Sequence, residues 1–165
     1  MTSQTARDLF VTGLRNAHAM ERQAEELMER QSERTSDYPE VQVRLRQHLE
    51  ETRNQIARLD QCLDACGETA STLKDATLSF MGNLAAMGHA VAGDEILKNT
   101  FANNAFEHYE IAAYKSLIAL AKEAGIDDGL LRQSLREEEA MAEWIDSHVE
   151  DVTLAYLSRE VAETA

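Results

Sequence analysis

Six residues in this sequence carry types and spacings suited to chemistry: Glu21, His48, Glu51, Glu107, Glu110 and Glu138. Glu107 and Glu110, in the stretch FEHYEIAAY, are three apart and so share one face of a helix. The same spacing places a glutamate and a histidine side by side in the Glu-x-x-His pairs of di-iron bundles. His48 and Glu51 repeat that spacing in reversed order, whereas Glu138 is followed at +3 by Met141 and at +4 by Ala142. Hard carboxylate oxygens with one imidazole suit iron or manganese, and zinc is also within their range. A glutamate facing a helix-bundle core is costly unless something compensates it, so the question is which of these look inward.

The elements that must position them read as helices throughout. With 7 Gly, 1 Pro and 28% charged residues, little interrupts a helix, and no strand-like alternation is visible. A first amphipathic segment covers about 5–31, with Leu9, Gly13, Ala17, Met20, Ala24 and Leu27 along one face. After a loop, Asp37 three before Glu40 looks like a capping box, with Pro39 in the first turn. The second helix then runs to about Ala65, with Gly67 as its stop. A short Met-containing helical stretch at 72–90 precedes a third long helix, about 94–124, closed by Gly125. A fourth spans about 128–158, and the tail SREVAETA reads as a frayed end. Two antiparallel hairpins joined by one long crossover describe an all-α, ferritin-like four-helix bundle plus a short extra helix. At 165 residues the chain fits a single domain.

Stepping 100° per residue around each helix locates the polar residues on the apolar faces. Glu21 lies within the first stripe, and His48 and Gln55 within the second, with Glu51 at its margin. Glu107 and Tyr114 belong to the third stripe, Glu110 sits just off centre, and His108 is displaced by about a quarter turn. Glu138 occupies the middle of the fourth, flanked by Glu137 and Glu139 outside. Each long helix thus offers one inward or near-inward glutamate: Glu21, Glu51, Glu107 and Glu138. Four carboxylates converging at one level repel strongly unless protonated or metal-bound. The alternative is a polar network stapled by Arg44, Arg53 or water. His48 taken alone reads first as a hydrogen-bonded core histidine, and Tyr114 as an ordinary core tyrosine, with a hydrogen bond to a ligand carboxylate as its second reading. His18, His89, Trp144 and His148 read as surface or packing residues.

The formal charge of −14 argues against nucleic acid as a partner, since no basic face is left to neutralise phosphates. No apolar run reaches about 18 residues, so no membrane span is expected. The N-terminal MTSQTARDLF lacks the apolar core of a secretory signal, which makes the cytoplasm the expected location. Cys62 and Cys66, one helical turn apart, read as reduced core residues rather than a redox or metal pair.

Four stretches carry a family resemblance: LRNAHAMERQAEELM (14–28), SDYPE followed by RQHLEETRNQIARL (46–59), FEHYEIAAYKSL (106–117) and LREEEAMAEWI (135–145). In order and spacing they resemble the YciE/YciF group of the ferritin-like superfamily, most closely its YciE branch, over about residues 5–158. The resemblance implies a ferritin-like bundle, often a homodimer, linked to bacterial stress responses, with a di-metal centre and a ferroxidase-type label. Family glutamates fall on Glu21, Glu51, Glu107, Glu110 and Glu138, with His48 in the H-x-x-E-T stretch. The chain departs from full ferritin-like sites in having no Glu-x-x-His pair: Arg53 stands where Glu50-x-x-His would end. Ala142 stands where YciF-like members often have an acidic residue. Two function classes follow. One is a metal-binding, ferroxidase-like or peroxide-handling protein; the other is a non-catalytic structural or interaction protein with a degenerate or empty site. Apolar residues of the 72–90 stretch, Phe80, Leu84 and Met87, add to the expectation of a homodimer.

Overall fold

The computed structural model describes residues 2–69 and 94–164. Among these, four long helices appear: α1 (Thr2–Arg34), α2 (Pro39–Ala65), α3 (Glu95–Ala124) and α4 (Gly129–Thr164). They form the expected all-α four-helix bundle. The short extra helix at 72–90, with Phe80, Leu84, Met87 and His89, lies outside the described residues.

Contacts across the helices fix the arrangement. Gln31 and Asn103 exchange amide hydrogen bonds of 2.8 and 3.2 Å, and Tyr114 meets Glu21, so α1 and α3 run antiparallel. Arg58 reaches Glu137 and His148 lies near Glu40, which makes α2 and α4 antiparallel. Around the bundle the order is α1, α2, α4, α3, with α1–α2 and α3–α4 as the two hairpins. α2 ends at the opposite end of the bundle from the start of α3, as a long crossover requires.

Both predicted glycine stops are present, and at both the conformation requires glycine. Gly67 and Gly125 have φ of 71° and 70°, the left-handed region that side chains disfavour. Each closes its helix with the same pair of backbone bonds: Glu68 N–H to Leu63 O and Gly67 N–H to Asp64 O, then Ile126 N–H to Ala121 O and Gly125 N–H to Lys122 O.

Three expectations are corrected. Asp37 forms no capping box: Tyr38 is the N-cap residue and lends no side-chain bond to the helix start. Asp37, one residue too early, pairs instead with Arg159 at 2.9 Å. That contact, with the Arg159 guanidinium over the Tyr38 ring, anchors the last turns of α4, so the tail continues as helix to Thr164 instead of fraying. The inward face of α1 is also rotated from the expected stripe. Leu9 is exposed, while Phe10 and Leu14 are fully buried with Ala17, Glu21, Ala24 and Met28 behind them. The steps of three and four residues between these positions keep one seam facing the partner helices. A side chain as fully buried as Phe10, Leu14 or Leu59 contributes about 1.5–3 kcal/mol relative to exposure.

Gly13 matters for packing rather than for φ. A Cβ there would come within 2.8 Å of Leu117 Cδ2, so its absence lets α1 approach α3 closely. Cys62 and Cys66 are free thiols, and burial, with Cys66 beside it, pushes the Cys62 thiol up to about 11. A thiol held so protonated is a packing group. No described helix is long and apolar enough to cross a membrane.

Candidate metal centre

Midway along the bundle three of the helices bring one imidazole and three carboxyl groups together in the core. α2 supplies His48, α3 supplies Glu107 and Glu110, and α4 supplies Glu138; one ligand atom from each lies within 4.8 Å of all the others. All four are buried, with Glu138 at 0% and His48 and Glu110 at 1% exposure. Glu107 and Glu110 converge because three residues on α3 return nearly to the same face.

The histidine is oriented from behind. His48 Nδ1 is 2.8 Å from Glu51 Oε2, and Glu51 also accepts from Arg44 at 3.2 Å and from Gln47 at 3.1 Å. With Nδ1–H donated to Glu51, Nε2 is left to face the cluster, 3.2 Å from Glu107 Oε2 and 3.4 Å from Glu138 Oε2. A carboxylate behind the far ring nitrogen fixes tautomer and ring direction in metal-bound histidines. Glu51, read from sequence as the inward glutamate of α2, therefore stands one imidazole away, its side chain 23% exposed. The inward group of α2 is His48.

Glu21 occupies the next position along the core, fully buried, its Oε1 accepting a 2.6 Å hydrogen bond from the Tyr114 hydroxyl. Tyr114 thus positions a carboxylate as well as filling the core. Replacing it by Phe leaves both Glu21 oxygens unpaired, and Tyr114→Phe should lower unfolding free energy by about 1–2 kcal/mol. Urea titration checks this through a lower midpoint at unchanged slope.

The decisive feature is what these carboxylates lack. Glu21 Oε2, Glu107 Oε2, Glu110 Oε1 and both oxygens of Glu138 are buried with no aligned hydrogen-bond donor. Native cores rarely leave such atoms unpaired, and leaving several of them around one point invites a cation. Electrostatics agrees. Burial, then the charge of Glu138, raises the Glu21 carboxyl well above the usual range, against the pull of Tyr114. Burial, then Glu138 and Glu21, does the same to Glu110. Burial lifts Glu107 to about 7, with His48 opposing and Glu138 adding to it. Burial disfavours charge on His48, yet Glu107, with the bonds to Glu138 and Glu51, carries it well above its ordinary value. Glu51 is held at about 2, because the bond from His48 and the Arg44 charge overcome its desolvation.

Arg53 does not staple this cluster. It reaches outward to Glu25, Glu29 and Glu50, so the stretch Glu50–Arg53 lies on the outer face and its missing histidine costs the inner site nothing. His108 is exposed, as expected. A polar layer next to the site escaped the sequence reading: Arg58 holds Glu137 by two bonds of 2.6 and 2.8 Å and reaches Ser134, and Gln55 also donates to Glu137. Its one legible signal was Gln55 on the apolar stripe of α2.

Comparison with known proteins agrees with the fold. Residues 5–158 match the family DUF892, described as a domain of unknown function. The chain is 31% identical to protein YciF of Escherichia coli K12, over 85% of this chain and 87% of that one. A solved structure of a protein from Xanthomonas campestris pv. campestris is similar at a TM-score of 0.80 and 35% identity, covering 94% of this chain and 98% of that chain. The structure described as that of the E. coli stress protein YciF superposes at a TM-score of 0.75 with 24% identity, over 90% of this chain and 96% of that one. At that identity the last likeness speaks to the fold alone.

Proposed function

The chain belongs to the DUF892 family, and from that footing we propose that it is a metal-binding bundle whose His48, Glu107, Glu110 and Glu138 hold a redox-active divalent cation, iron foremost. The observation that carries this reading is the set of orphaned, buried carboxylate oxygens facing His48 Nε2. A mixed oxygen and imidazole donor set suits iron or manganese, with zinc as a competitor. Bound iron would supply one-electron chemistry towards oxygen or peroxide, the ferroxidase-type role. Glu21, with Oε2 still free, is the group that extends the site towards two ions.

The protein's own part is positional. Glu51 holds the imidazole and is itself held by Arg44, Tyr114 holds Glu21, and burial keeps the four inner groups from bulk water. Placement in the YciE branch, a stress-linked role in the cytoplasm and a homodimeric state are parts of the same proposal, supported by the four stretches quoted above.

Protein purified without chelator from iron-replete cells, its metal content measured by mass spectrometry, tests the reading. Near-stoichiometric metal is expected, with Fe(II) oxidation by oxygen or peroxide above the buffer rate. Glu107→Ala and Glu138→Ala should bring that rate to the buffer level. A wild-type protein without metal and with buffer-level oxidation points instead to a non-catalytic bundle with a degenerate site.

A further inference from the structure

We propose that the groove between α2 and α4 is the port through which a divalent cation reaches the buried cluster, and that Arg44 is its latch. The proposal rests on the metal-centre reading above and deepens it. Of the four adjacent helix pairs, α2 and α4 pack most sparsely. Between them lies an open groove of about 620 Å³, lined among others by Val43, Arg44, Gln47, Glu51, Ala140 and Trp144.

Glu51 is where this groove meets the site. Its side chain is 23% exposed, against 5% for Glu107 and 0% for Glu138. Its Oε2 touches His48 Nδ1 at 2.8 Å, and the other ring nitrogen faces the cluster, so a single imidazole separates the groove from the inner carboxylates. A rotation of that ring about its side-chain bonds opens the path without moving a helix. An arriving cation passes Glu40 at the exposed rim and then meets Glu51, which among the described residues is the groove-lining carboxylate in contact with His48.

Both oxygens of Glu51 are already engaged. Arg44 Nη1 lies 3.2 Å from Oε2, and Gln47 Nε2 lies 3.1 Å from Oε1. Arg44 is itself buried at 9% exposure, so its charge is poorly screened and repels an incoming cation at short range. Its displacement from Glu51 must precede entry and must occur again for exit. A latch of this kind slows both directions and leaves the equilibrium little changed.

Stopped-flow binding of Co(II) to metal-free protein, followed by its visible absorption, measures both rates. Ala140 is exposed, so Ala140→Trp fills the groove without disturbing the core. It should slow association and dissociation by about tenfold or more at unchanged stoichiometry, since entry now needs a larger opening. Arg44→Ala should speed both by about threefold to tenfold. Glu139→Trp, on the seam with α3 where Glu139 pairs with Lys115, is the control and should leave the rates alone. Uptake by wild type with the same rates in Ala140→Trp, or equal slowing by both Trp variants, overturns the port. A change in Arg44→Ala that speeds association without speeding dissociation is the mark of charge alone and overturns the latch, as does no change in either rate. Wild-type protein that takes up no Co(II) overturns the metal-centre reading and the port with it.

Discussion

Metal-free protein is expected to melt at progressively lower temperature as pH rises from about 5 to about 8, whereas metal-loaded protein is not. Glu21, Glu107 and Glu110 all have folded values above that of a free carboxyl. Between the unfolded value, about 4.5, and the folded one, the native state holds protons that the unfolded chain has released, so stability falls as pH rises through that window. His48 adds to the trend with the same sign. Its folded value is raised, so its contribution is complete below the unfolded value and is lost as pH rises through the folded one. Glu51 acts in the opposite sense only between about 4.5 and its depressed value near 2, where its ion pairs are lost on acidification.

For Glu107 alone the rise from 4.5 to about 7 corresponds to about 3 kcal/mol. For a chain of this length that is a fall of about 10 °C in Tm. A bound cation replaces those protons as counter-charge, and its affinity grows as the ligands deprotonate. Calorimetry of chelated and Fe(II)- or Co(II)-loaded protein across this range shows the two trends diverging. Parallel curves would mean that the cluster exchanges no protons for metal.

The second large effect separates stability from binding. Glu138→Gln should lower Co(II) affinity by about a hundredfold or more, since a charged ligand at the centre of the cluster is removed. The same change should raise the stability of the metal-free protein by about 1–3 kcal/mol, because it removes one of several crowded buried carboxyls. His48→Ala should match the loss of affinity, but without the gain in stability, since it also removes a cationic partner of Glu107. Glu51→Gln, acting only through the orientation of His48, should cost about tenfold to a hundredfold in affinity. Titrations with visible Co(II) absorption, paired with urea melts of metal-free protein, report both quantities. A Glu138→Gln variant that loses stability while keeping affinity would show that Glu138 is held by the fold and not by metal.

Periodicity alone revealed the four long helices, both glycine stops and the inward Glu21, Glu107 and Glu138. It succeeded there because these residues lie near the centre of their apolar stripes, where an error of a quarter turn changes little. It failed at margins. Leu9 and Phe10 differ by one step of about 100°, and only packing against the other helices selects Phe10. In α2 the stripe already holds His48 and leaves Glu51 at its margin, and it was counting one glutamate per helix that gave the marginal residue the inward role. Their three-residue spacing did hold the answer in another form: side chains so placed touch each other, so one orients while the other faces the cluster. Arg53 and Tyr114 were left with open alternatives for a related reason. Their partners, Glu25 and Glu29 for one and Glu21 for the other, lie on a different helix, and register between helices is set by tertiary packing that no single segment encodes.

Everything proposed for this protein depends on His48, Glu107, Glu110 and Glu138 surrounding a metal ion. Crystals of the protein grown with Fe(II) or Mn(II) under anaerobic conditions, with diffraction collected on both sides of the metal absorption edge, test it most directly. An anomalous peak is expected, enclosed by His48 Nε2 and the three carboxylates, present above the edge and absent below it. A map with no peak there, and with anomalous density confined to surface carboxylates, would contradict it.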